Sequence, residues 1–153
     1  MPEFRTKYFN VVGYDEDSVL TFPAGLPGFD QERRFLPIEQ PINKPLVFLQ
    51  SLSHRELCFL ALPVLTVDAA YRLNISPEDL RILGLPDDRQ PVIGQQVACL
   101  AIVSLPENQS PTANLLSPVV IHLANRRAVQ AIQVDSSYSH RHPLLSVAEA
   151  VCS

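Results

Sequence analysis

Apolar residues along this chain fall in short runs that proline and polar clusters keep interrupting. Runs of that length suit strands better than helices, which must keep one apolar face over several turns. Residues 19–22 alternate with polar neighbours, and 34–38, 46–51 and 57–62 are rich in β-branched or aromatic side chains. Each is predicted as a strand. Ser53-His54-Arg55 is the expected hairpin loop between the last two. Residues 96–105 mix Val, Ile, Ala and Cys in a longer run that fits a central strand, and 118–124 with 128–135 flank Asn125-Arg126-Arg127 as a second hairpin.

Helix signals are few. Ser76-Pro77-Glu78-Asp79-Leu80 supplies an N-cap serine, proline at the first helical position and acids in the first turn, so one short helix is predicted from here to about Gly84. A second is possible over 67–73, with Asp68 starting a turn before Tyr71. The sharpest turn signal is Pro23-Ala24-Gly25-Leu26-Pro27-Gly28. Strands without regular intervening helices imply a sheet that closes on itself or packs on another layer. The expected class is therefore mainly β, a small, partly open antiparallel barrel with one or two short helices. One domain over residues 1–145 is expected, with 146–153 as a frayed or helical tail.

Composition supports a folded chain. Of 153 residues, 46% are hydrophobic and only 18% charged, enough apolar surface to offset ordering entropy. The net charge of −4, with Lys and Arg scattered in singles and pairs, argues against nucleic acid as a direct ligand. The first ten residues carry Glu3, Arg5 and Lys7 and no apolar stretch, and no window is apolar enough to span a bilayer. A cytoplasmic location without membrane contact is the default expectation. Cys58, Cys99 and Cys152 are an odd, widely spaced set that suits reduced thiols, with Cys58 and Cys99 expected in the core.

Candidate chemistry narrows little. His140-Arg141-His142 invites a metal, but the intervening arginine repels a cation and neither His122 nor Cys152 completes a known ligand spacing. Ser, Cys and His are present without a nucleophile elbow or a context that activates a thiol. Asp87-Asp88 sit in a proline-flanked loop and read as a solvated turn. Gly25-Leu26-Pro27-Gly28 has proline where a phosphate loop needs a backbone donor. No cofactor is expected. Phe48 and Phe59 are expected in the core, whereas Phe29, Tyr71 and Tyr138 lie near polar residues and are candidates either for core or for surface anchors.

Four segments together resemble the FliW family of flagellar assembly factors. They are Leu20-Thr21-Phe22-Pro23-Ala24-Gly25-Leu26-Pro27-Gly28-Phe29, then 46–51, then 112–121, and the closing Tyr138-Ser139-His140-Arg141-His142. Their order and spacing extend the resemblance over almost the whole chain. The sequence departs from the usual pattern at His122, Ser117 and Gln133-Val134, which bears on partner affinity because recognition concentrates in polar loops.

The resemblance implies a non-catalytic, chaperone-like protein with two partners. It would bind flagellin in the cytoplasm, and once flagellin is exported it would bind CsrA, the RNA-binding translational repressor of flagellin synthesis. The free chain is expected to be a monomer. Residues expected to border the partner surface are Phe29, Asp30, Tyr71, Asn114, Tyr138, His140, Arg141 and His142. A bland alternative is that Asn114 and Tyr138 hold loops by hydrogen bonds and touch no partner. The competing functions are a module of the same fold with a non-flagellar client, or a small hydrolase using His140 or His142.

Overall fold

The computed structural model describes residues 2–134 and 137–144. The expected tail, with the helical potential of residues 147–153 and Cys152, lies outside them. Among the described residues the architecture is mainly β. A separate hairpin pairs β1 (Glu3–Arg5) with β2 (Val11–Gly13). The main sheet takes β3 (Leu20–Thr21), β4 (Arg34–Ile38), β5 (Val47–Ser51), β6 (Cys58–Pro63) and β7 (Val97–Ser104) as sequential antiparallel neighbours. It then continues to β9 (Val119–His122) and β10 (Ala128–Gln130). At the far end of β7, β8 (Thr112–Ala113) and β11 (His142–Pro143) add a short extension.

The sheet curls but does not close as a hydrogen-bonded barrel. Its outer strands β3 and β10 meet at one bridge, where the Thr21 N–H donates to the Arg126 carbonyl at 2.9 Å and Thr21 pairs with Arg127. The antiparallel, mainly β expectation holds, and closure stops at that single contact. Pro37 shows why an inner-looking strand tolerates proline: among the described residues β3 pairs with Phe35 and Arg34 alone, so beyond them β4 meets no further described strand on that side and no ladder donor is needed.

Alternation along the strands separates two apolar layers. Inside the curl, Leu20, Phe22, Phe35, Leu49, Leu100 and Val119 form one core, with the Phe22 and Phe35 rings edge to face at 5.3 Å. On the outer face, Cys99, Ala101, Val120 and Val129 are covered by the second layer, whose main element is α2 (Pro77–Leu83). The Ser76 hydroxyl accepts the Asp79 N–H at 3.1 Å, and Gly84 closes the helix with φ of +78°. So short a helix depends on burial of Leu80 and Leu83, since isolated helices of this length do not hold in water.

Three expectations are corrected. The other helix, α1, is Val64–Val67 and precedes the 67–73 segment. Asp68 is extended, ends α1 through its N–H to Val64, and opens the next turn by accepting the Ala70 N–H on its carboxylate. Phe48 is only half-buried, because it lines an open cavity with Tyr8, Gln40 and Leu60, where Phe9 packs on it edge to face at 5.2 Å. Cys58 on the neighbouring strand lines the same cavity and is half-buried, while Cys99 is in the core as expected. Burial pushes the two thiols up, to about 11 and about 12 respectively.

Candidate partner-binding surfaces

The short β8 strand brings together two segments far apart in sequence. Ala113 pairs with both Val103 of β7 and His142 of β11, and the Leu115 N–H donates to the Ser139 carbonyl at 2.9 Å. Asn114, His140 and Arg141 thereby line one polar groove of about 470 Å³ with Ser104, Gln109 and Gln130. The Asn114 side chain accepts the Ser117 N–H at 2.9 Å, so the asparagine both shapes this turn and faces the groove. His142 is half-buried on the same strand extension.

The Tyr71 and Tyr138 rings pack at a tilt with centroids 4.4 Å apart. Tyr71 is 4% exposed, and its hydroxyl donates to the Leu115 carbonyl at 2.6 Å. Its burial raises the phenol pKa well above the ordinary tyrosine range. Tyr71 therefore offers no direct surface to a partner, which corrects its reading as a surface anchor. Half-buried Tyr138 covers it and accepts the Arg72 N–H at 2.9 Å.

Phe29 and Asp30 belong to a different region, at the turn between β3 and β4, with β4, β5 and β6 between them and β7 in the sheet order. Phe29 is 41% exposed and packs edge to face on Phe59 at 5.6 Å; Phe59 itself is partly buried against the inner core. Beside Phe29, the nearly buried Glu32 carboxylate accepts the Ser51 hydroxyl at 2.7 Å and pairs with the His54 ring. Although serine, histidine and glutamate meet here, Ser51 is wholly buried and bonds to the carboxylate instead of the imidazole. That order positions the β5–β6 loop and leaves no nucleophile with its base. No composition signal in the sequence marked this cluster.

A feature missed by the sequence reading is an apolar groove of about 410 Å³ on the outer face of β6 and β7. Leu46, Leu60, Leu62, Val103 and Leu144 form its floor, and Ile42 and Leu105 stand at its rim, 89% and 67% exposed. Alternation along β7 places this groove and the polar one on opposite faces of the same strand end, Val103 and Leu105 on one side and Ile102 and Ser104 on the other. Large apolar side chains so exposed mark interaction surfaces when they cluster. Leu105 was expected only as the end of the 96–105 strand, and Ile42 fell outside every predicted element, so nothing in the sequence joined them.

Among the described residues no helix is long and apolar enough to cross a membrane.

The chain is similar throughout to flagellar assembly factors. A sequence profile described as FliW protein matches residues 3–144. The Flagellar assembly factor FliW of Pseudothermotoga lettingae is 38% identical over 146 residues, spanning 91% of this chain and 85% of the relative. That of Bacillus subtilis is 28% identical over 141 residues, spanning 92% and 94%. A crystal structure of the flagellar assembly factor FliW superposes with a TM-score of 0.79 at 26% identity, covering 94% of this chain and 96% of its own. With the four sequence landmarks, the curled antiparallel sheet and a profile match over nearly its full length, the chain belongs to the FliW family.

Proposed function

We propose that this chain is a non-catalytic cytoplasmic protein that binds flagellin and, when free of it, binds and antagonises CsrA. What supports the flagellin half is the outer-face groove, whose apolar floor and exposed Ile42 and Leu105 suit the apolar side of an amphipathic helix. Asn114, Tyr138, His140, Arg141 and His142 border the adjoining strand extension, and Phe29 with Asp30 form a second margin across the sheet. Tyr71 acts from beneath, by holding Tyr138.

Antagonism of CsrA from a site outside its RNA groove requires a coupling free energy, commonly about 1–3 kcal/mol, and the coupling is reciprocal. RNA should weaken the grip of this protein on CsrA by the same factor as the protein weakens RNA. Isothermal titration with flagellin and with CsrA from the same organism tests the proposal, using the native chain and the double variant Ile42→Asp/Leu105→Asp. Saturable binding of both partners, with competition between them and loss of flagellin binding in the variant, is the expected result. Absence of heat and of co-elution for both partners would overturn it and direct the search to a non-flagellar client.

A further inference from the structure

The geometry points to a second docking site, a basic cleft between the β1–β2 hairpin and the β5–β6 loop that takes a short acidic segment of a partner protein. The cleft is about 500 Å³ and is lined by Arg5, Lys7, Arg55, Glu56, Thr6 and Val11. Three cations against one carboxylate make it locally positive in a chain whose net charge is −4. Among the described residues none of the three has an ion-pair partner, whereas Arg34, Arg81 and Arg89 each have one. Like charges brought together repel, so the cleft gains stability when a counter-charge arrives.

The backbone under these cations is fixed. The Lys7 N–H donates to the Arg55 carbonyl at 3.0 Å, which joins the hairpin to the loop. The same carbonyl accepts from the buried Gln50 amide at 3.2 Å. Thr6, itself buried, pins the hairpin turn by donating to the Asn10 carbonyl and accepting the Phe9 N–H. The backbones of Lys7 and Arg55 are thus held side by side, one in the β1–β2 turn and one in the β5–β6 loop, before any ligand comes, which lowers the ordering cost of binding. The half-exposed Val11 adds an aliphatic contact on the cleft wall.

A short protein segment fits these features better than a nucleic acid. Glu56 opposes carboxylate and phosphate alike, but the sequence has no basic run to continue the three cations into a track for a long polyanion, and the aliphatic Val11 has no counterpart to meet on a phosphate backbone. Carboxylates spaced about an aliphatic residue would meet the arginine forks and Val11 together. The inference does not depend on the apolar groove or on the flagellin and CsrA reading.

The test uses the full chain and a fluorescein-labelled peptide, Asp-Glu-Asp-Leu-Glu-Asp-Glu, followed by anisotropy at roughly physiological salt, where the screening length is about 8 Å. Saturable binding is expected, weakened roughly tenfold or more in Arg5→Glu/Arg55→Glu. The charge-matched control Arg72→Glu/Arg89→Glu should bind within about twofold of the native chain, since its charges lie outside the cleft. Elution volume and urea midpoint show that both variants fold. No saturable binding by the native chain, or equal loss in the two variants, overturns the proposal. Tighter binding of a uridine-rich oligonucleotide of equal charge overturns it in favour of RNA.

Discussion

The Tyr138 ring lies tilted at 40° over Tyr71, and the two hydroxyls bond in opposite directions, Tyr71 donating into the buried Leu115 carbonyl and Tyr138 accepting the Arg72 N–H. The pair clamps three chain segments. Tyr71→Phe strands the Leu115 carbonyl in the core and should cost about 1–3 kcal/mol in urea unfolding. Tyr138→Phe frees an N–H beside exposed Arg72, which water can reach, so its cost should stay near 0.5–1 kcal/mol. Equal losses would show that the Tyr71 hydroxyl is not desolvated as described.

Alkaline pH should destabilise the fold through the same layer. Burial holds the Cys99 thiol up at about 12 and raises Tyr71 above its usual range. In the unfolded chain the thiol ionises near 8.5 and the phenol near 10. Above those values the unfolded state binds fewer protons than the folded one, so stability falls as pH rises. The contribution of Cys99 is intact below about pH 8.5 and is lost progressively toward pH 12, at up to about 1.4 kcal/mol per pH unit. Urea midpoints between pH 8 and pH 11 should show this slope, and Cys99→Ala should flatten its first part. An unchanged slope in the variant would locate the alkaline loss elsewhere.

What the sequence made legible was whatever alternation and turn chemistry encode locally. Strand β4 and helix α2 fell where apolar runs and caps placed them, because Ser76, Pro77 and Gly84 act within a few residues of themselves. The β1–β2 hairpin was not legible: its residues are mostly exposed, so no apolar face announced it. Nor was the fate of Gln133, a polar departure expected to matter to partners. It is buried, accepting the Asn74 N–H and donating to the Arg72 carbonyl, and so anchors the segment that carries Tyr71. Of the expected site residues, Asn114, His140 and Arg141 share a groove only because β8 pairs on both edges, a long-range fact with no local signature. The apolar groove escaped for a related reason, since its floor comes from strands and its rim from proline-marked loops.

The C-terminus of α2 depends on the β9–β10 hairpin. The His122 ring Nδ1–H and the Asn125 amide both donate to the Leu83 carbonyl, at 2.8 and 3.1 Å. This is one of the carbonyls that a helix end leaves without an internal partner. His122→Ala leaves Asn125 in place and should cost about 0.5–1.5 kcal/mol. Removing both donors should cost more than the sum of the singles, by about 0.5 kcal/mol or more, because only the double variant deprives the carbonyl of both. Strict additivity in the cycle would mean that water substitutes freely at this site.

The turn before β4 separates two glycines that look alike in sequence. Gly25 and Gly28 both have positive φ, +69° and +83°. A Cβ at Gly28 would meet nothing within 4 Å, so Gly28→Ala should carry only the left-handed backbone cost of about 1–2 kcal/mol. At Gly25 the same atom would lie 2.5 Å from the Asp30 carbonyl oxygen, a backbone group that side-chain rotation does not relieve. Gly25→Ala should therefore cost about 3 kcal/mol or more and displace Asp30 together with the Leu26–Phe29 bridge that sets the angle of Phe29. Urea unfolding measures the energies, and titration with flagellin and CsrA at a temperature where both variants remain folded measures the consequence. If Phe29 and Asp30 border a partner surface, Gly25→Ala loses affinity for that partner while Gly28→Ala keeps it. If both folded variants bind like the native chain, this turn serves only to join β3 to β4, and the partner surface lies wholly on the β7, β8 and β11 side.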